Sequence, residues 1–383
     1  TVEWLDRKFA NKPHLADANK KALKAGYHYG DTVELFDTRY KVPEAKIDSG
    51  LYRQITGNQA TAYGLIAASK KTGLDLFFGS YPITPASDVL HELAKYKHYG
   101  VRTFQAEDEI AAIGATVGAA FGGSLAVTST SGPGVALKGE AIGLGVMVEL
   151  PMIIVDVQRG GPSTGLPTKT EQSDLNMVLY GRNGEAPMPI VAAATPGDCF
   201  YATMEAARIA TKYMTPVFFL SDGYIANGAE PWKIPDTDAL PDMEVSFYEM
   251  GEEALLPYQR DPQTLARPWI RPGTAGAEHR IGGLEKQDGT GNVSYDPANH
   301  EYMNRTRAEK VARIADDIDD AEIFGDTSGD TLLVGWGGTF GALRAATLEM
   351  RKVGVNVSHM HIRHINPLPR NVEPTLRAFK RVI

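Results

Sequence analysis

From Asn58 to Asp222, short apolar runs alternate with stretches whose apolar residues recur at helical spacing. Asn58 stands where a helix cap is expected, with Ala60, Tyr63, Gly64, Ala67 and Ala68 on one face and Gly73 as the stop. Leu74–Gly79 reads as a short strand. Ser87 caps a second helix bearing Leu90, Leu93 and Ala94. Leu125–Thr130 and Pro151–Val157 are β-rich runs with few charges, the pattern of parallel strands buried on both faces. Thr195-Pro196-Gly197-Asp198 is a variant capping box that opens a helix reaching about Lys212, and the strand Pro216–Leu220 follows. This alternation predicts an α/β fold built on a doubly wound parallel sheet. Ligands of such sheets bind beyond the carboxyl ends of the strands, which directs attention to the loops after Phe78, Thr130 and Val157.

The flanks follow other patterns. Residues 231–300 hold eight prolines and little periodicity, and they are too long for a plain loop. They read as a disordered linker or as an arm wrapping a partner, and Trp232, Tyr258 and Trp269 favour the arm. A helix over about His300–Asp319 carries Val311, Ile314 and Ile318 on one face. Thr331–Trp336, a helix Thr339–Lys352 and Val355–Ile362 then form a second βαβ unit, and Phe379–Ile383 reads as the opening of one more strand. Residues 1–26 read as amphipathic helix with too little sequence for a core of its own. The expected division is 1–50, the end of a preceding domain and a linker; 51–230, the main α/β domain; 231–325, arm and connecting helix; and 326–383, a second α/β domain, truncated. A truncated chain is expected at both ends.

Composition narrows the classes. The chain has 383 residues, 43% apolar and 22% charged, as an ordinary globular protein does. A net charge of −8 argues against nucleic acid or an anionic membrane as the main partner. One cysteine, Cys199, cannot form an internal disulfide, an all-cysteine zinc site or an iron–sulfur cluster, and it suggests a reducing compartment, the cytoplasm. No apolar run reaches ~18 residues, so no spanning helix is expected.

Four segments carry candidate chemistry. In Tyr81-Pro82-Ile83-Thr84-Pro85 the prolines stiffen the backbone around the Thr84 hydroxyl, which suits presentation of one donor to a ligand; a stiff strand-to-helix turn explains the same residues. Glu107-Asp108-Glu109 opens a helix of Ala, Gly, Ile and Val. The acids complement the helix dipole, or one of them points inward as a desolvated carboxyl of raised pKa, a general acid or a partner to a ring nitrogen. Gly114, Gly118 and Gly122, four apart, allow another backbone to approach. Thr128–Gly134 places hydroxyls and glycines at a strand end before a helix, as an anion site or a tight turn packed on a ligand. Arg159–Thr168 holds one Arg, three hydroxyls and three glycines, suited to forked recognition of a small carboxylate, with a flexible surface loop as the alternative. Weaker signals read as structure: Ser221-Asp222-Gly223 as a strand end and turn, Gly335–Gly341 as a βα turn, and His359, His361 and His364 as strand and loop histidines.

Taken in order, these four segments resemble the α subunits of 2-oxoacid:ferredoxin oxidoreductases over roughly residues 50–383, with Gly276-Ala-Glu-His279 and Asn366-Pro-Leu-Pro369 as further shared features. The Arg159–Thr168 form is closer to the 2-oxoglutarate and broad 2-oxoacid branch than to the pyruvate enzymes, and residues 1–50 resemble the end of a fused γ domain. The resemblance implies a thiamine diphosphate (pyrimidine-binding) domain and decarboxylation of a 2-oxoacid. Electrons would pass through iron–sulfur clusters to ferredoxin, and the acyl group to coenzyme A. It gives Glu109 the hydrogen bond to the aminopyrimidine nitrogen, Thr84 and Arg159 the substrate's oxo and carboxylate groups, Pro82 and Thr84 a place against the cofactor, and Ser163, Thr164 and Thr168 the rest of the pocket. A β subunit would supply the diphosphate and Mg2+ motif and a [4Fe-4S] cluster, in an (αβ)2-type assembly. The alternatives are a pyruvate or broad-range relative, a transketolase or 2-oxoacid dehydrogenase type of thiamine enzyme, and a non-catalytic scaffold.

Overall fold

The computed structural model describes residues 1–34, 38, 40–243, 245–251 and 254–383; small parts of the segments 1–50 and 231–325 therefore lie outside the described residues. It divides into two compact units at Gly50/Leu51. The first holds two helices, Val2–Lys8 and Pro13–Thr32, the second with proline at its start. Among its described residues Leu5 and Ala16 are the buried apolar ones, and Lys20 is 2.6 Å from Asp6.

Leu51–Ile383 form the second unit. Its centre is a seven-stranded sheet. Edge to edge the strands are His364–Asn366, Ile190–Ala192, Pro216–Asp222, Met152–Gln158, Leu125–Thr130, Leu76–Ser80 and Arg102–Gln105. All neighbours are parallel except the first pair. The expected doubly wound sheet is thus present. Its two faces read alternately along each strand: Ile153 and Val155 enter one core with helices Gly57–Thr72 and Asp198–Tyr213, while Met152 and Ile154 enter the other. The first two helices cross closely because Gly64 has no Cβ to strike the Phe200 backbone.

Local corrections concern caps. The first helix of this unit starts before Asn58: Thr56 and Gln59 form a reciprocal capping box, and Asn58 is buried with its amide donating to the Pro85 carbonyl. Ser87 is the first residue of its helix rather than the cap, its hydroxyl accepting from the Ile83 amide. The strand after Cys199's helix runs through Asp222, whose carboxylate caps the short helix Gly223–Asn227.

The proline-rich stretch packs against this chain's own body. Trp269 is buried, packs against Phe247 and donates from Nε1 to the Ala120 carbonyl at 3.2 Å. Arg267 Nε reaches the Val148 carbonyl. Arg260 and Lys310, the latter from helix Pro297–Arg313, grip the buried Glu149 at 2.7 and 2.5 Å. A second sheet of four strands follows, in the order Phe379–Val382, Gly329–Trp336, Val357–Ile362, Ile323–Phe324, with helix Phe340–Lys352 linking the parallel central pair. His359 and His361 lie on that pair, and His364 joins the main sheet, 3.0 Å from Glu205. No described helix is long and apolar enough to cross a membrane.

Candidate functional site

Three parallel strands set the site. Leu76–Ser80, Leu125–Thr130 and Met152–Gln158 are adjacent, so the loops leaving their carboxyl ends meet. The first loop carries Pro82 and Thr84, both exposed; the second leads through Ser131 into helix Gly132–Leu137; the third opens at Arg159. Glu109 begins helix Glu109–Phe121 above them, with Asp108 as cap, its carboxylate accepting from the Ala111 amide at 2.8 Å.

The loops are tied to one another. Arg159 is buried and donates from Nη1 to the Thr84 carbonyl at 2.5 Å and from Nη2 to the Thr164 carbonyl at 3.3 Å, leaving its buried Nε–H with no acceptor. The Ser131 hydroxyl lies 2.8 Å from the Val157 carbonyl and 3.3 Å from that of Thr84. Thr84 thus joins the loops through its main chain, while its side chain stays at the surface. Ser163, Thr164 and Thr168 are exposed along the third loop, which is pinned by the Gly160–Leu166 bridge and by the Gly161 amide on Glu171. An orphaned cationic donor beside exposed hydroxyls suits a carboxylate ligand.

Glu109 faces the first two loops. The Tyr81 hydroxyl, 2.8 Å from Thr130 Oγ1, also turns to the Glu109 carboxylate, and burial and that carboxylate together push its phenol well up. Gly134 is obligatory here, since a Cβ would run into Thr130 Oγ1 and Tyr81 Oη and crowd Glu109 Cγ. Glu109 itself is half-exposed in this chain. Helix Glu109–Phe121 buries Ala112, Ile113, Thr116 and Ala120, whereas Ile110 is 61% exposed and nothing lies within 4 Å of a Cβ placed at Gly114 or Gly118.

Sequence reasoning passed over Lys138. It is fully buried beneath Glu109, its Nζ 2.8 Å from Thr128 Oγ1, 3.2 Å from the Glu109 carbonyl and 5.2 Å from the Tyr81 ring centroid. Burial pulls its pKa down to about 7, against the pull of Glu109 and Asp108. Its signal in the sequence was a lone cation, with Glu140 the other charge, within the apolar, glycine-rich run Gly132–Val148. Asp222, with its carboxylate committed to the Tyr224 and Ile225 amides, is the strand-end turn expected of it.

A parallel sheet whose strand ends present a glutamate, a stiff hydroxyl-bearing loop and an arginine with spare donors defines an α/β ligand site of enzyme type. The family model described as "Pyruvate flavodoxin/ferredoxin oxidoreductase, thiamine diP-bdg" matches residues 67–295, and the chain belongs to that family. It is 54% identical over 99% of its length to the 2-oxoglutarate oxidoreductase subunit KorA of Mycobacterium tuberculosis, covering 58% of that protein. It is 32% identical to the 2-oxoglutarate synthase subunit KorA of Methanothermobacter marburgensis, with 82% of each covered. Among solved structures, the 2-oxoglutarate:ferredoxin oxidoreductase from Magnetococcus marinus, with 2-oxoglutarate, coenzyme A and succinyl-CoA bound, matches with a TM-score of 0.90 and 33% identity, over 100% of this chain and 66% of that one. The chain therefore spans under two thirds of the length of several relatives it matches.

Proposed function

We propose that this chain is the α-type subunit of a thiamine diphosphate-dependent 2-oxoacid:ferredoxin oxidoreductase. The reaction converts 2-oxoglutarate, coenzyme A and oxidised ferredoxin to succinyl-CoA, CO2 and reduced ferredoxin, or runs in reverse to fix CO2. The observation that carries this reading is the meeting of Glu109, the Pro82–Thr84 loop and Arg159 at the carboxyl ends of Arg102–Gln105, Leu76–Ser80 and Met152–Gln158, within a run of four neighbouring parallel strands. The names of the KorA relatives support 2-oxoglutarate over pyruvate.

The residues present fit the pyrimidine end of the cofactor. Glu109, half-exposed above the Gly134 cradle, would accept or donate at the ring nitrogen; Pro82 and Thr84 would line its face. When bound, thiamine diphosphate supplies a carbon nucleophile that takes the electron pair released by decarboxylation. Arg159, whose guanidinium has more N–H donors than its two carbonyl partners use, would hold the substrate carboxylate, and Ser163, Thr164 and Thr168 would meet the remainder of the substrate. Tyr81 and Lys138 back Glu109 from beneath and fix its helix start.

A partner chain completes the reading. Cys199 is buried, and the described residues bring no three His, Cys, Asp or Glu side chains together as metal ligands. A β subunit would carry the diphosphate and Mg2+ motif and a [4Fe-4S] cluster, docking over the uncovered Ile110–Gly114–Gly118 face, in an (αβ)2 assembly that reduces ferredoxin in the cytoplasm. The test is Glu109→Gln in the reconstituted complex. Substrate-dependent ferredoxin reduction should fall by at least about 100-fold, the usual worth of a positioned acid–base group. Full activity would overturn the proposal. Turnover of 2-oxoglutarate well above that of pyruvate is the expected preference.

A further inference from the structure

Behind Arg159 the structure buries two carboxyl groups against each other. Asp156 lies on the strand Met152–Gln158, three residues before Arg159, and is 0% exposed. Both its oxygens lack a hydrogen-bond donor, and so does Oδ2 of Asp174. Asp174 closes the far end of the same loop. Its amide donates to Gln158 Oε1 at 3.2 Å, and its carboxylate accepts from the Gly132 amide, where no side chain would fit. Gln158 is in turn anchored to the Ser221 carbonyl. The strand neighbours of Asp156 are Thr130 and Leu220, both uncharged. The charged groups acting on Asp174 besides Asp156 are Glu171 and Arg159.

Two ionised carboxylates cannot share such a space, because each orphaned oxygen would be desolvated and repelled by the other. One proton resolves both problems, since it removes a charge and becomes the missing donor. We propose that Asp156 and Asp174 share a proton and act as a clasp that closes the base of the Arg159–Ser173 loop, which makes them positioning residues for Arg159. Burial first, and then the facing carboxylate, raise the proton affinity of Asp156 far above the ordinary range, in keeping with this geometry. The clasp holds while the proton is present. As pH rises through the raised pKa of the pair, the second charge appears and the closed loop loses its advantage by up to about tenfold per pH unit, one proton being linked. The effect on substrate rests on the proposed function; the clasp does not.

The test uses the full chain in its complex. Infrared difference spectra between wild type and the double variant Asp156→Asn/Asp174→Asn should show a protonated carboxyl band at pH 7 that the variant lacks. The side-chain amide that Asp174→Asn introduces can donate to an ionised Asp156, so this variant should keep hydrogen-exchange protection over 159–174. In Asp174→Ala the same backbone amides should exchange at least about tenfold faster, the worth of a charge-assisted hydrogen bond. KM for the 2-oxoacid should rise in Asp174→Ala with kcat little changed. Asp156→Asn gives a second isosteric variant, expected to behave as Asp174→Asn does. Absence of the infrared band, equal exchange in the Asn and Ala variants, or a band that titrates while the loop stays closed would each overturn the clasp. A complex that shows the band and the exchange pattern but turns over no 2-oxoacid would refute the functional reading and leave the clasp standing.

Discussion

Lys138→Met removes a buried ammonium while keeping an unbranched chain of similar length. In the folded chain the amine has a pKa of about 7, lowered chiefly by burial, against about 10.4 for an unfolded lysine. The sign follows from the proton count. Below about pH 7 both states are charged and the fold bears the full cost of burying the ammonium. Between about 7 and 10.4 the folded amine is neutral while the unfolded one stays charged, so unfolding takes up one proton and the cost shrinks as pH rises. A fall from about 10.4 to about 7 corresponds to roughly 4–5 kcal/mol as an upper figure. The Thr128 hydroxyl and the Glu109 carbonyl, which Lys138 satisfies, lose a donor in the variant, and this offsets part of the gain at low pH. The assay is denaturant unfolding of wild type and Lys138→Met from pH 6 to pH 10. The difference between the two should favour the variant most at pH 6 and move toward wild type by up to about 1.4 kcal/mol per pH unit above pH 7. Titrations elsewhere in the chain cancel in that difference. A difference that stays level with pH would refute the buried, half-neutralised lysine and with it the picture of Lys138 as a prop under Glu109.

Arg159→Lys keeps the charge but loses the fork. It should raise KM for the 2-oxoacid by roughly 10- to 150-fold, the worth of about 1.5–3 kcal/mol for a charge-assisted hydrogen bond, and an unchanged KM in steady-state assays would remove Arg159 from the substrate pocket. Glu149→Gln leaves Lys310 and Arg260 buried without their anion and should cost about 3–5 kcal/mol in denaturant unfolding. Those cations hold the Glu149 carboxyl far below its ordinary range despite its burial, so its contribution is present above the unfolded pKa of about 4.3 and is lost as pH falls further. Cys199 is fully buried, and burial pushes its thiol up; the native chain should resist a thiol reagent and release one equivalent on denaturation, whereas rapid native labelling would contradict the packing of its helix.

Four strands of the main sheet were legible because they announce themselves locally, whereas the short strands Arg102–Gln105, Ile190–Ala192 and His364–Asn366 carry no such run and were not read. Leu125–Thr130 is an apolar run between turn residues, and its observed bounds are those read from the sequence. The loops that build the site were legible for the same reason: glycine, proline and hydroxyl residues cluster directly after those runs. What was hidden depends on partners distant in sequence. Trp269 marked the 231–300 stretch as packed, yet nothing local says that its indole meets the Ala120 carbonyl of this same chain. Asp156 passed as one charge in an apolar strand, because its meaning comes from Asp174, eighteen positions on (174 minus 156). Lys138 passed because helical spacing does not reveal that its stem runs under the first turn of another helix.

The half-exposed Glu109 carries the same lesson to the functional reading. Helix Glu109–Phe121 is apolar almost all round, and a helix of that kind is buried on every side in a finished protein. The described residues cover only the Ala112–Ile113–Thr116–Ala120 side. Ile110 stays 61% exposed and Gly114 and Gly118 face open space, while Leu137, Leu166 and Tyr224 are exposed on the segments that surround the site. Full desolvation of Glu109 therefore calls for a further surface over this helix. The proposed β subunit fits that requirement. Placed over Ile110, Gly114 and Gly118, it would bury the carboxyl of Glu109 at the moment it closes the site. Cofactor activation would then depend on assembly: the isolated chain should bind thiamine diphosphate weakly in a titration calorimeter, and the complex tightly. Equal affinity in both would show that this chain needs no second surface to complete the site.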